Sequence, residues 1–177
     1  MNSLSRIAFA SMLLAGAACS GKESKTAAPA STAAQQTAFA SFAVDAQPRD
    51  AQPVLAVRAK AKPGDQVVVS GRVKDFVDGR AAFTLIDPSL PSCDEEGPMK
   101  SCDTPWDFCC TDIKVINNAS ATVELRDATG VLKTGLAGYR GFDHLTPTVV
   151  VGKLEADQAG NLLVAANQIW IGERKKN

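Results

Sequence analysis

Histidine is nearly missing from this sequence, since His144 is the only one among 177 residues. A metal site that needs several histidines of one chain is therefore excluded. The sequence also lacks the GxSxG and HExxH motifs, and no glycine-rich phosphate loop opens a helical pattern. Serine hydrolases, zinc proteases and phosphate-loop enzymes thus find no support. We predict a non-enzymatic protein without a cofactor.

Aromatic residues and net charge are also scarce. The chain has one Tyr, two Trp and seven Phe, and its 19 basic residues balance its 19 acidic residues. A core built mainly from Val, Leu, Ile and Ala is therefore expected. Without excess positive charge the protein lacks a general electrostatic means of holding nucleic acid. The composition argues against nucleic acid as a partner.

The N-terminus has the pattern of an export signal. Arg6 supplies a positive charge, and residues 7–18 form an apolar segment too short to cross a bilayer as a helix. The sequence LAGAAC ending at Cys19 resembles a bacterial lipobox, with Gly16 where Leu is usual. Residues 1–19 are therefore predicted to be a lipoprotein-type signal peptide, with Cys19 lipidated and the protein anchored to the membrane facing the periplasm. Cleavage by general signal peptidase, for example after Ala17, is the alternative.

Three further segments follow from composition and patterning. Residues 20–53 are rich in Ala, Ser, Thr, Gln and Pro and have no sustained apolar periodicity, which predicts a disordered tether. Residues 54–172 are predicted to form the folded domain, and residues 173–177 a charged tail.

Alternating apolar and polar residues predict five strands, over residues 66–74, 80–87, 121–126, 147–155 and 162–171. Gly71 in the middle of the first strand indicates a bulge or a sharp coil. The residues predicted to be buried are Val67, Val69, Val73, Leu85, Val123, Leu125, Val149, Val151, Leu163 and Ile169.

Two hairpins, a central strand and room for a short helix between strands three and four follow the order of an OB-fold. The region from about Val54 to Gly172 resembles a small OB-fold barrel, similar to OB-like periplasmic proteins of bacteria. The segment CDTPWDFCC, from Cys102 to Cys110, resembles a feature of exported bacterial proteins. The predicted fold class is all-β, a five-stranded OB-like barrel. A β-sandwich fragment with the same number of strands is the competing architecture.

Four cysteines lie between strands two and three, at Cys93, Cys102, Cys109 and Cys110. An exported protein meets an oxidising compartment, so disulfides are expected. The adjacent pair cannot easily bridge itself, which leaves two pairings that join each of its members to Cys93 or Cys102. These bridges would staple a loop with too few apolar residues to order itself. The spacing is a poor match to zinc motifs, so no metal is predicted.

Ligand contacts in OB-folds come from strands two and three and from the loops joining strands one to two and four to five. The suitable side chains there are Arg80, Phe83 and Arg126. Trp106 and Phe108 in the cysteine loop either form an exposed platform or fold back over the barrel mouth.

These observations together predict a non-enzymatic binding or scaffolding module of the cell envelope. Its partners would be the membrane, through the lipid, and an envelope protein or a small ligand. Two alternatives stay open. One is a periplasmic metal-handling protein that uses the Cys93–Cys110 loop, and the other is an OB-type binder of nucleic acid or oligosaccharide.

Overall fold

The computed structural model describes residues 31–93, 95, 103–156 and 160–174. In chain order the elements are α1 (Ala33–Phe39), β1 (Ala43–Val44), β2 (Gln52–Pro53), α2 (Val54–Lys60), β3 (Gln66–Phe76), β4 (Ala82–Ile86), α3 (Ile113–Asn118), β5 (Ser120–Asp127), β6 (Gly130–Val131), a 3-10 turn (Tyr139–Gly141), β7 (Pro147–Ala156) and β8 (Leu162–Ile171). None of the helices within these ranges is long and apolar enough to cross a bilayer.

Five of the strands close into a barrel. β3 pairs with β4, β4 with β5, β5 with β8, β8 with β7, and β7 returns to β3. The β5–β8 pairing is parallel, and the other four are antiparallel. The predicted all-β, OB-like barrel is confirmed by this closed order.

The inner face of β3 follows the predicted alternation. Val69 and Val73 are fully buried, and Val67 is nearly so. Between them, a Cβ atom placed on Gly71 would lie 2.5 Å from the carbonyl oxygen of Ile86. Only a residue without a side chain allows β3 to pass so close to β4. The bulge of β3 lies between Val73 and Asp75 and not at Gly71.

Two residues predicted to be buried, Val151 and Leu163, are only half-buried. Along β7 the core residue is Val150, which pairs with Val69 and Ile169. The next residue, Val151, must face the other way because side chains alternate along a strand. Because three successive residues are valine, the sequence did not show which of them face the core and which face outward.

The error at Leu163 comes from a bulge in β8. The pairing of β7 with β8 shifts register once, and Asn167 is the extra residue on β8. Before the bulge Val164 faces the core, and after it Ile169 does. A bulge moves the alternation by one position, so Leu163 and Ile169 do not share a face.

Residues 31–53 belong to the folded domain, which contradicts the predicted tether over this part of the chain. β1 pairs in parallel with β8, and β2 pairs in parallel with β3. Phe39 of α1 is 1% exposed, and its ring meets that of Tyr139 edge-on with centroids 5.3 Å apart. The burial of Phe39 therefore attaches this segment to the barrel, although the average composition of the segment predicted disorder. Residues 20–30 lie outside the described ranges.

The start of α1 is fixed by a capping box. The Gln35 N–H donates to Thr32 Oγ1 over 3.2 Å, and the Thr32 N–H donates to Gln35 Oε1 over 3.0 Å. These two bonds satisfy amide groups that a helix start leaves without partners. The side-chain amide of Gln35 also donates to the carbonyls of Gly135 and Ala137, both over 2.9 Å. α1 is thereby tied to the segment before the 3-10 turn.

Short helices lie at places that the sequence did not predict. α2 precedes β3, and α3 lies between β4 and β5. Between β5 and β7, where a short helix was expected, the chain forms β6 and the 3-10 turn. The first turn of α2 is capped from far along the chain, since the Leu55 N–H donates to the Asp87 carboxylate over 2.8 Å.

Candidate functional site

A groove of about 280 Å³ lies on the outer side of the barrel, over β3, β4 and β5. Its lining also includes residues of α3 and of the start of β8. Arg58 of α2 donates to the carbonyl of Ser120 over 2.8 Å and to that of Gly160 over 3.1 Å. These bonds hold the start of β5 beside the turn that leads into β8.

Polar side chains cross the floor of this groove in register. Asp75 on β3 is paired with Thr84 on β4, and Thr84 is paired with Thr122 on β5. Directly paired residues on one face of a sheet have Cβ atoms about 5 Å apart. The three residues therefore form a row of hydrogen-bonding groups across three strands, and all three line the groove.

Among the described residues, one lysine lines the groove, and this residue, Lys74, is held by carboxylates. Lys74 Nζ forms an ion pair with Asp75 and lies 3.4 Å from Asp107. Burial alone would lower the pKa of Lys74, but hydrogen bonds and charge attraction from Asp75 and Asp107 raise it above its ordinary value. The lysine stays charged and its charge is balanced locally, so it offers little attraction for a phosphate.

Two of the predicted binding residues are buried and cannot meet a surface ligand. Phe83 is 0% exposed in the barrel core, where its ring packs edge-on against Phe142. Phe108 is 1% exposed and belongs to a second, smaller apolar cluster. β4 places Phe83 at an inward-facing position. An aromatic side chain at such a position packs in the core and does not form a surface platform.

The other three candidates lie outside the groove. Arg126 is paired with the carboxylates of Glu124 and Glu155, the second at 2.7 Å. Arg80 is exposed after the β3–β4 turn. Trp106 is half-buried and stacks on the ring of His144, with centroids 5.3 Å apart and planes at 29°. The groove-lining residues could have been found from the polar positions of β3, β4 and β5. These positions alternate with the core positions, so their side chains face outward.

The described residues of the cysteine loop pack against an apolar cluster. The buried members are Ile86, Leu90, Phe108, Ile116, Ala119 and Leu145. The Arg72 guanidinium lies 5.9 Å from the centre of the Phe108 ring and contacts the Glu95 carboxylate with Nη1–oxygen distances of 2.7 and 2.8 Å. The described part of this loop thus packs against an apolar cluster that the sequence did not reveal.

Three sulfur atoms come together in this loop. Cys93 Sγ lies 2.9 Å from Cys109 Sγ, and the sulfurs of Cys93, Cys109 and Cys110 all lie within 4.8 Å of one another. No S–S bond joins these three. Cys102 and Cys19 lie outside the described residues, so the expected pairing into two disulfides stays a prediction.

The Cys93 thiol is buried and surrounded by hydrogen-bond donors. Its sulfur is approached by the Cys109 thiol and by the backbone N–H groups of Cys110 and Cys109, and these bonds lower its pKa despite burial, which acts to raise it. The Cys93 N–H donates to the Asp107 carbonyl over 2.8 Å.

No family model matches the chain, and no curated protein matches it either. Among solved structures, the chain is similar to the OBody AM1L10 bound to hen egg-white lysozyme, with 16% sequence identity and a TM-score of 0.40. The match covers 75% of this chain and 100% of that one. The strand pairing, and not this likeness, defines the protein as an OB-like barrel.

Proposed function

We propose that this protein is a non-enzymatic binding module of the bacterial cell envelope, with its ligand in the groove over β3, β4 and β5. The observation that carries the proposal is the polar row of Asp75, Thr84 and Thr122 along the floor of that groove. OB-type barrels commonly bind their ligands on this side. The volume of about 280 Å³ is near the lower end for small-ligand sites.

The chemistry of the groove suits a neutral, hydroxyl-rich ligand such as a short saccharide. Its polar lining consists largely of hydroxyl and amide side chains, including Ser120 and Asn117. Lys74 is already neutralised by its two carboxylate partners. An oligonucleotide would instead need cations that are available for its phosphates.

The test is a titration of the protein with short chito- and cello-oligosaccharides, followed by amide chemical shifts. We expect shifts to map to β3, β4 and β5. The double variant Thr84→Val, Thr122→Val keeps the side-chain shape and removes two hydroxyls. Two lost hydrogen bonds of about 1 kcal/mol each should weaken binding by about 30-fold.

The matched control is Thr37→Val, because Thr37 is exposed on α1 and does not line the groove. It should bind like the wild type. Absence of binding to both saccharides, or equal affinity of the double variant and the wild type, contradicts the proposal. Binding of a single-stranded oligonucleotide that weakens with salt would favour the nucleic-acid alternative.

The envelope location rests on the N-terminal sequence and has its own test. We infer that lipid on Cys19 anchors the module, because Cys19 follows the apolar segment of a signal peptide. Labelling with a fatty-acid analogue should mark the wild type and Cys110→Ser, but not Cys19→Ser. The Cys19→Ser protein should also leave the membrane fraction. Continued membrane association of that variant contradicts the inference.

A further inference from the structure

We propose that Cys93, Cys109 and Cys110 form a binding site for a thiophilic metal ion with a filled d shell, Zn²⁺ or Cu⁺. The three sulfurs, all within 4.8 Å of one another, come from two arms of the loop between β4 and β5. Thiolates are the ligands that these two ions share. This site is separate from the groove over β3, β4 and β5, because none of the three cysteines lines that groove.

The distances are close to those that a metal requires. With metal–sulfur bonds of about 2.3 Å, two thiolates on a tetrahedral ion stand about 3.8 Å apart. Cys93 and Cys109 would have to separate by less than about 1 Å from their present 2.9 Å. Cys110 would have to move by a similar amount or less.

Both arms are positioned by contacts that do not involve sulfur. On the first arm, the Ser92 N–H donates to the Glu95 carboxylate over 2.9 Å, and Arg72 holds the same carboxylate. On the second arm, the buried ring of Phe108 fixes the chain, and the Thr111 N–H donates to the Phe108 carbonyl over 2.9 Å. The sulfurs therefore meet because the loop packs, which is what a preorganised site needs.

The site has one buried sulfur and two that face solvent. Cys93 is buried, whereas Cys109 and Cys110 are exposed. An ion can thus reach the site from solvent, displace the remaining thiol protons and bind the thiolates.

The competing outcome is the expected oxidation of the cysteines to disulfides. A disulfide between Cys93 and Cys109 would consume two of the three sulfurs, and a sulfur in a disulfide is no longer a thiolate ligand. The two outcomes exclude each other in one molecule. Metal titration and peptide mapping of the purified protein distinguish the two outcomes.

The experiment uses full-length protein that carries Cys19→Ser, purified without chelators or thiols and under inert gas. One arm titrates Zn²⁺ against a chromophoric chelator, and the other titrates Cu⁺ against bicinchoninate. We expect one equivalent of at least one ion to bind. Removing one ligand in Cys110→Ser should weaken binding by about 100-fold or more, since even the loss of outer-shell partners costs 10–100-fold.

Cys110→Ser changes an exposed side chain, and thermal unfolding checks that this variant folds. Cys93→Ala, at the buried position, should abolish binding, and circular dichroism checks that it folds. The proposal is overturned if peptide mapping of the fresh protein shows a Cys93–Cys109 bridge and the phosphine-reduced protein binds neither ion. Binding that persists unchanged in both variants overturns it equally.

Discussion

Replacing Phe39 with alanine tests whether the segment before β2 is a structural part of the barrel. Phe39 is 1% exposed and packs in the barrel core, edge-on to Tyr139. Truncating a buried phenylalanine to alanine costs about 3–5 kcal/mol of unfolding free energy. In a domain of this size each kcal/mol lowers Tm by about 3 °C, so Tm should fall by about 10–15 °C.

Urea unfolding followed by the fluorescence of Trp106 and Trp170 measures this loss, and calorimetry gives the Tm. The matched control is Gln36→Ala, because Gln36 is exposed on the same helix and should change stability by about 0.5 kcal/mol or less. Limited proteolysis should protect a fragment that includes α1. A Phe39→Ala protein as stable as the control, together with a protected core that starts near Val54, would show that residues 31–53 are a tether after all.

Three further predictions concern single contacts. Gly71→Ala should cost about 1–3 kcal/mol or more, because its Cβ would lie 2.5 Å from the Ile86 carbonyl oxygen; an unchanged urea midpoint contradicts this close approach. Asp87→Ala should lower the free energy of unfolding by about 1–3 kcal/mol, because this buried carboxylate caps α2. Hydrogen exchange should show faster opening of the first turn of α2, and normal protection there refutes the cap. Burial acts to raise the pKa of Glu95, but hydrogen bonds, mainly from Arg72, hold it below its ordinary value of 4.5. Its contribution to stability is therefore present above about pH 4.5 and lost as the pH falls through the lowered pKa, so the difference in urea midpoint between wild type and Glu95→Gln should shrink in acid; a constant difference rules out this ion pair as the cause.

The sequence was sufficient where alternation was clean and uninterrupted. Along β3 and β5 the predicted inward residues, such as Val69 and Val123, are fully buried. The order of hairpins and single strands also gave the barrel. Local patterning decides these features, because burial of one face of a strand selects residues at every second position.

The remaining features depend on contacts between distant parts of the chain. The bulge at Asn167 changes the phase of β8 only because of how β8 pairs with β7. α1 is ordered through Phe39 and its contact with Tyr139, about 100 positions later. The polar row of the groove was present in the sequence as Thr84 and Thr122, but their adjacency follows from strand register and not from spacing.

The meeting of three cysteine sulfurs was not predictable in the same way. Cys109 and Cys110 are neighbours in the chain, but the position of Cys93 beside them depends on the packing of Phe108 and on the Cys93–Asp107 backbone bond. Spacing alone made the segment a poor match to known metal motifs. A site assembled by tertiary packing leaves no fixed interval in the sequence.

The place of β8 in the sheet determines when this protein can finish folding. β8 follows all the other described strands in the chain, yet it pairs with β1, β5 and β7. Before β8 is synthesised the barrel is therefore an open sheet with two unpaired edges. Such long-range pairing predicts slow folding and a period of vulnerability to aggregation. A chain truncated before Leu162 would keep these sheet edges unpaired and would be a substrate for chaperones and proteases.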